Sequence, residues 1–489
     1  MTDRKKSYDP KLEEIRIAVM GNVDAGKSTL LGVLKSGSLD NGRGSARGCI
    51  FKHPHEIETG RTSSVSHHYL ETSGWKSEEL DSKEPDKILT FVDLAGHEKY
   101  LKTTLYGVNG SSVSYIMIMI SAVDGVVGTT KEHLEIALAL RVPTFIVITK
   151  MDQAADKPGV LNDNLSYLEE LIVRMKKRKL YPIKNIEEVK KMPGTILTEK
   201  SKVIPIFKIS NTTGEGVDLI RNFFASLPEV IDWKPLRDPS ENKTLINIQD
   251  SYDVHGIGLV VYGVVKRGCV QIGETILIGP FNGEFKQVVI KSIHDNYKNP
   301  LQYLPAGCSG CLAIKTVGKD IIKKNQIKKG MVITVEAAKI QFFKALVQII
   351  HHPTTIRIGY EPTVHCGTIF QTARIMDIVK LDKNTKEPIQ TLNPDDPNYD
   401  DSNLNLKLLR AGDLADVTFK FLHHLEFIES GSTIFFREGD TKGLGKITIV
   451  MPEKLENFIK NNRHNNQGRN RQRKKRINRS ERSVLIEVM

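Results

Sequence analysis

The chain is short of the residues that staple, anchor or bundle a protein. Five Cys in 489 residues is a sparse and odd number, which fits a reducing compartment and excludes a disulfide framework. No apolar run approaches the roughly 20 residues that a membrane-spanning helix needs. The longest, Tyr115–Val123, is nine residues and stops at Asp124, so it predicts a buried strand. The opening MTDRKKSYDPKLEE lacks the apolar centre of a signal peptide, and no Cys stands at the C-terminus for prenylation. Membrane and secreted classes are set aside, and a cytoplasmic protein without membrane contact is expected. There are only 2 Trp, yet hydrophobic residues reach 39% and charged residues 26%, a balance that excludes a largely disordered or fibrous chain.

What is present is length and a lopsided charge. At roughly 100–200 residues per domain, the chain is too long for one core and predicts about three domains. Of the net charge of +12, the stretch Arg463–Arg482 holds +8, from nine Lys and Arg against Glu481, and +4 is spread over the rest. A nearly balanced body therefore ends in a basic tail.

From Ile15 short apolar runs alternate with helix-like stretches, the pattern of a parallel α/β sheet. The runs are Ile15–Met20, Ile88–Val92, Tyr115–Ile120, Pro143–Thr149 and Val203–Ile209. Helices are predicted at Ser28–Leu34, Tyr100–Gly107, Lys131–Leu140, Leu165–Lys177 and Val217–Leu227. The polar stretch Lys35–Lys87 is too long for an ordinary connection and predicts a functional loop region. After Pro228 the character shifts, and from Lys243 onward come Gly-punctuated, β-branched strands with no convincing helix up to Val450, which suits two closed β-barrels. The expected organisation is a flexible 1–14, a doubly wound, mostly parallel α/β P-loop domain at 15–235, β-barrels at 240–337 and 338–452, and a disordered basic tail at 453–489. Within the second barrel, Lys383–Lys407 reads as a polar insertion at a hairpin tip.

Chemistry enters at Gly21-Asn22-Val23-Asp24-Ala25-Gly26-Lys27-Ser28, which fits G-x-x-x-x-G-K-[ST] after a predicted strand and before a predicted helix. The glycines let successive backbone N–H groups face a phosphate chain at the helix N-terminus. Lys27 would reach the β- and γ-phosphates and Ser28 would ligate Mg²⁺. At the end of another strand comes Asp93-Leu94-Ala95-Gly96-His97, where a carboxylate can hold Mg²⁺ through water and the Gly96 N–H can meet the γ-phosphate. Thr149-Lys150-Met151-Asp152 and Ser210-Asn211 follow two further strands. Asp152 can accept both N1–H and N2–H₂ of guanine, which adenine does not offer, and the Lys150 stem can cover the base.

The ordered set GNVDAGKS, GRT, DLAGH, TKMD and SN resembles the five G-motifs of the translational GTPases, the superfamily of elongation factor Tu and elongation factor 1-alpha. GIGLVVYGVVKRGCVQIGE resembles that family's second domain, and GYEPTVHCGTIFQTARI and FREGDTKGLGKI its third, so the likeness runs from about Ile15 to Val450. GNVDAGKST, IETGRTSSV and the Thr of TKMD look most like GTP-binding proteins 1 and 2. The resemblance implies GTP and GDP as ligands with Mg²⁺. It implies a nucleotide-binding set of Asn22, Val23, Asp24, Ala25, Gly26, Lys27, Ser28, Thr29, Gly96, Thr149, Lys150, Asp152, Ser210 and Asn211. Metal ligation falls to Ser28, Thr62 and Asp93, and His97 orients the attacking water. It also implies a monomer that binds aminoacyl-tRNA in its GTP form and acts on the ribosome. A ribosome-rescue or RNA-surveillance GTPase, and a nucleotide-gated RNA-binding module with little turnover, stay open beside it.

Two positions depart from the family. Elongation factors carry Asn where this chain has Thr149, which reduces the amide contact to base and P-loop. They place a small apolar residue where this chain has Arg61, one side of the gate on the catalytic His. Outside the motifs, Cys308-Ser309-Gly310-Cys311 has metal-like spacing, but a structural zinc site wants four ligands and no second C-x-x-C exists. His67-His68 and His423-His424 read as surface or strand residues. The density of Lys and Arg in Arg463–Arg482 suits contacts to RNA phosphates without base reading, with nuclear import as a rival use and solubilisation as the plain one.

Overall fold

A computed structural model of the chain describes residues 13–51, 65–75, 86–94, 96, 112–140, 142–155, 158–176, 178–192, 201–238, 240–318, 321–328, 330–367, 369–382, 385–389, 407–439 and 441–452. The predicted helix at Tyr100–Gly107, most of the 383–407 insertion and the basic tail lie outside the described residues.

Seven strands form the first sheet: β1 (Glu13–Gly21), β2 (Ser66–Glu71), β3 (Lys87–Asp93), β4 (Tyr115–Ser121), β5 (Thr144–Thr149), β6 (Lys179–Pro182) and β7 (Val203–Lys208). Their order is β2-β3-β1-β4-β5-β7-β6, parallel throughout except that β2 runs against β3. Strands β1, β4 and β5 are almost unbroken apolar runs, and every residue of β4 and β5 is buried, as a sheet covered on both faces requires. One face is covered by the helices Lys27–Ser36 and Val217–Ser226, through Leu30, Leu31, Ile220 and Phe223. The other is covered by Gly128–Leu140 and Pro158–Lys176, through Leu134, Ala137, Leu168 and Ile172. The winding reverses at β1, between β3 and β4, and such a reversal opens a crevice beyond the strand ends where ligands bind.

The polar stretch Lys35–Lys87 is not loop throughout. It contains β2 and a 3-10 turn at Ala46–Cys49. Strand β2 alternates, but His68 takes an inward place beside Leu70, at 3% exposure, so its buried face does not read as apolar.

Beyond Leu245 the chain forms two closed antiparallel barrels. In the first, the ring runs Thr275–Phe281, Val332–Thr334, Leu245–Val254, Gly258–Arg267, Ser309–Thr316 and Glu284–His294, and closes back on the first. In the second it runs Ile340–His351, Leu414–Phe421, Ile369–Leu381, Thr363–Cys366, Thr433–Glu438 and Thr441–Pro452. Closure gives each ring strand a paired neighbour on both sides. Val261, Ile290 and Leu312 fill the first interior; Phe343 stacks on Phe419 in the second, with ring centres 5.1 Å apart.

Both barrels dock on the first domain through charged groups. Arg16 of β1 is buried, donates to the Gly307 carbonyl at 2.9 and 2.8 Å, and pairs with Glu14 at 3.1 Å. Glu14 in turn accepts from the Ser309 N–H at 2.9 Å and hydroxyl at 2.8 Å. From the second barrel, Lys442 reaches Glu132 at 3.3 Å and Glu135 at 3.1 Å. Cys308 and Cys311 are free thiols at the start of one barrel strand, and burial pushes Cys308 up to about 12. Among the described residues no three His, Cys, Asp or Glu side chains are grouped to hold a metal. Among them, too, no helix is long and apolar enough to cross a membrane.

Candidate nucleotide-binding site

Loops after β1, β3, β5 and β7 meet at the crevice. The β1 loop begins and ends on glycines at positive φ. Gly21 has φ 146°, and a Cβ there would lie 2.3 Å from the Met119 carbonyl oxygen. Gly26 has φ 80°, caps the helix Lys27–Ser36 and accepts from the Leu30 N–H at 2.9 Å. Between them Val23 and Ala25 carry the turn through Asp24 at φ 61°, and Thr29 follows in the helix's first turn. The Lys27 ammonium is folded back, 7% exposed, donating to the carbonyls of Gly21 at 3.1 Å and Asn22 at 2.7 Å. Burial pushes its pKa down, opposed by the charges of Asp93 and Asp24.

Beside Lys27, the Ser28 hydroxyl donates to Asp93 at 2.9 Å, which brings two metal-type oxygens together at the helix start. Gly96 lies against the same loop: a Cβ there would sit 2.5 Å from Lys27 Nζ and 2.7 Å from Val23 N. His97, Thr62 and Arg61 lie outside the described residues.

The other end of the crevice is built from side-chain pairs. Thr149, fully buried, donates its hydroxyl to the Ala25 carbonyl at 3.0 Å. The P-loop tie expected to weaken without Asn is therefore kept by a hydroxyl; what Thr149 lacks is the second donor that an amide has. Lys150 adopts φ 60° and stands 3.9 Å from Asp124. The fully buried Ser210 donates to Asp152 at 2.7 Å and accepts from the Thr212 and Thr213 N–H groups. This orients one carboxylate oxygen. Asn211 is 8% exposed, and its amide oxygen accepts no hydrogen bond among the described residues.

Three supporting residues escaped sequence reasoning. His133, on the helix Gly128–Leu140, accepts the Gly21 N–H at its Nδ1, 3.1 Å away. Burial, aided by the charge of Lys27, pushes that imidazole down to about 3, so it is neutral and able to accept. Thr129 of the same helix donates to the Asn22 side chain at 2.6 Å. Asp40 accepts from the N–H groups of Gly42, Gly44 and Ala46, while its own N–H donates to the Asn211 carbonyl at 2.9 Å. The Asp-Asn-Gly spelling at 40–42 signals such a turn; the two helix residues carry no local signal.

Comparison with known proteins agrees with this geometry. Residues 13–252 match the Elongation factor Tu GTP binding domain. GTP-binding protein 1 of Xenopus laevis is 38% identical over 469 residues, covering 92% of this chain and 65% of the relative, so the chain spans about two thirds of that protein's length. GTP-binding protein 2 of Mus musculus is 34% identical over 457 residues, covering 91% of this chain and 71% of the relative. Among solved structures, translation elongation factor SelB from Methanococcus maripaludis, in complex with a GTP analogue, superposes with a TM-score of 0.60 at 18% identity, over 91% of this chain and 80% of that one. That likeness shows the fold. The chain belongs to the translational GTPase family, with an elongation factor Tu-type GTP-binding domain followed by two β-barrels.

Proposed function

We propose that the chain binds GTP and GDP with Mg²⁺, hydrolyses GTP, and in its GTP form carries aminoacyl-tRNA to the ribosome. The observation behind the nucleotide is the convergence of Lys27, the Ser28–Asp93 pair and the Ser210–Asp152 pair on one crevice. The residues fit such a ligand: glycine is required at 21 and 96 by close approach, and a buried amide oxygen on Asn211 awaits a donor. Lys27 would exchange its carbonyl partners for the β- and γ-phosphate oxygens, which restores the solvation its burial removed. The P-loop N–H groups from Asn22 to Thr29 hold the phosphates in line. Ser28 and Asp93 would hold the metal, with Thr62 as the third ligand that the family pattern implies. When bound there, Mg²⁺ would supply positive charge against that building on the phosphate oxygens.

Asp152 reads the guanine N–H edge and Lys150 covers its face. His97 positions the attacking water, a role taken from the family pattern. Loss of the γ-phosphate frees Thr62 and Gly96, and the barrels, on domains at 240–337 and 338–452, respond to that release. The Arg463–Arg482 stretch adds RNA phosphate contacts. Deleting it is expected to flatten the salt dependence of RNA binding, and an unchanged slope would remove it from this account.

The test of the cargo is protection of the aminoacyl ester against spontaneous hydrolysis, with the chain loaded with a GTP analogue or with GDP. Protection in the GTP form alone supports a carrier of charged tRNA. No protection in either form, with nucleotide bound, moves the function to a rescue or surveillance GTPase.

A further inference from the structure

Where the three domains meet they enclose a cavity of about 330 Å³ that the proposed nucleotide chemistry does not use. Its walls include Ser112 of the first domain, Asn247 and Lys266 of the first barrel, and Cys366 and Glu429 of the second. Ile246, Ile248 and Val265 turn into the first barrel, so alternation places Asn247 and Lys266 on its outer face. Lys266 and Glu429 are the charged residues of the described lining. Glu429 is already held by Arg267 at 2.6 Å. Lys266 is half-buried and makes no hydrogen bond or ion pair among the described residues. Burial, aided by the charge of Arg16 and opposed by Glu429, pushes its ammonium down to about 8. Burial also pushes the Cys366 thiol up to about 12, so it carries no charge beside the amine. The carboxamide of Asn247, in a residue 8% exposed, makes no hydrogen bond among the described residues either. The Ser112 hydroxyl is buried with no partner among them, and Ser112 is held at φ 50°, a left-handed conformation that serine rarely adopts. Polar groups left in this way are costly unless something completes them.

We propose that this junction is a binding site for a small tetrahedral oxyanion, with Lys266 as its counter-charge and Asn247 and Ser112 as further donors. The sign follows from the charges: the acid on the wall has its own arginine, and the amine has no partner. Donors on walls from two domains suit a tetrahedral ion, which presents oxygens in several directions, better than a flat carboxylate. The cavity admits such an ion with several waters, since one water takes roughly 30 Å³. Among the described residues it shares no lining with the nucleotide crevice. Because its walls come from three domains, an occupant favours the arrangement in which all three meet over any in which a barrel swings away. The anion is thus an effector of domain closure.

The experiment is calorimetric titration of inorganic sulfate, at constant ionic strength, into the full chain loaded with GDP and Mg²⁺ so that the P-loop is filled. Saturable binding is expected in the unaltered chain. Lys266→Met keeps the length of the side chain and removes its charge. It is expected to weaken sulfate at least about tenfold, the scale of one charge-assisted contact. Without sulfate it should melt no lower than the unaltered chain, because it relieves an unpaired charge. Glu429→Gln removes the acid from the wall and is expected to tighten sulfate about threefold or more. No saturable binding by the unaltered chain overturns the proposal, as does equal binding by a folded Lys266→Met variant. A lower melting temperature of that variant without sulfate also overturns it, by marking Lys266 as structural. Should Lys266→Met not fold, Glu429→Gln decides: tighter sulfate binding supports the proposal and unchanged affinity overturns it. The Lys266 comparison locates the anion, so failure to bind GDP would overturn the nucleotide reading and leave this test intact.

Discussion

The two ends of the crevice are made in different ways. The end proposed for the phosphates is backbone: Gly21 and Gly26 hold positive φ, Gly21 and Gly96 leave no room for a Cβ, and Lys27 is clasped by main-chain carbonyls. The end proposed for the base is side chains in pairs, Thr149 on Ala25 and Ser210 on Asp152, brought in from separate strand ends. A backbone cradle tolerates almost no substitution. A side-chain pair can be redistributed, as the Thr at position 149 shows by keeping one contact of an amide and giving up another.

That contrast can be broken first at its rigid end. Gly21→Ala forces a Cβ onto the Met119 carbonyl at a positive φ, and should cost about 2–4 kcal/mol of stability together with nucleotide binding. Chemical denaturation with a GDP titration measures both, and a stable variant that binds GDP would show the cradle to be pliant. At the base end the fold should survive while selectivity goes. Asp152→Asn is expected to weaken GDP at least about a hundredfold with little change in melting temperature; parallel losses of affinity and stability would mean that Asp152 is structural. Ser210→Ala leaves the carboxylate in place but loosens it, for an expected three- to tenfold loss of GDP affinity by the scale of one hydrogen bond, read in the same titration.

A pH-dependent effect lies behind the cradle. His133 is neutral in the fold, pushed down to about 3 from its ordinary 6.5, so the unfolded chain takes up its proton first as pH falls. Its contribution is full above about pH 6.5 and declines steadily toward pH 3. The His133→Asn variant, which keeps an acceptor near Gly21 and cannot ionise, should lose less stability across that window. Denaturation midpoints that fall in parallel for both proteins would contradict this.

The same contrast explains what the sequence makes legible. The phosphate loop is spelled in consecutive letters because its geometry is local, and the parallel sheet is visible because β4 and β5 are buried on both faces. Strand β2 was hidden by the inward His68, and β6 by being only 4 residues long. His133 and Thr129 reach the site through tertiary approach, which no spacing rule encodes. At position 149 the sequence showed the change of residue, but only the fold shows the hydroxyl on Ala25 and the amide of Asn211 beside it.

The most direct test of the account is nucleotide discrimination by the unaltered chain: labelled GDP and ADP titrated side by side in the presence of Mg²⁺. A base end built as described predicts GDP bound at least about a hundredfold more tightly than ADP. Equal affinities, or no binding of either, would contradict the assignment of the crevice to a guanine nucleotide.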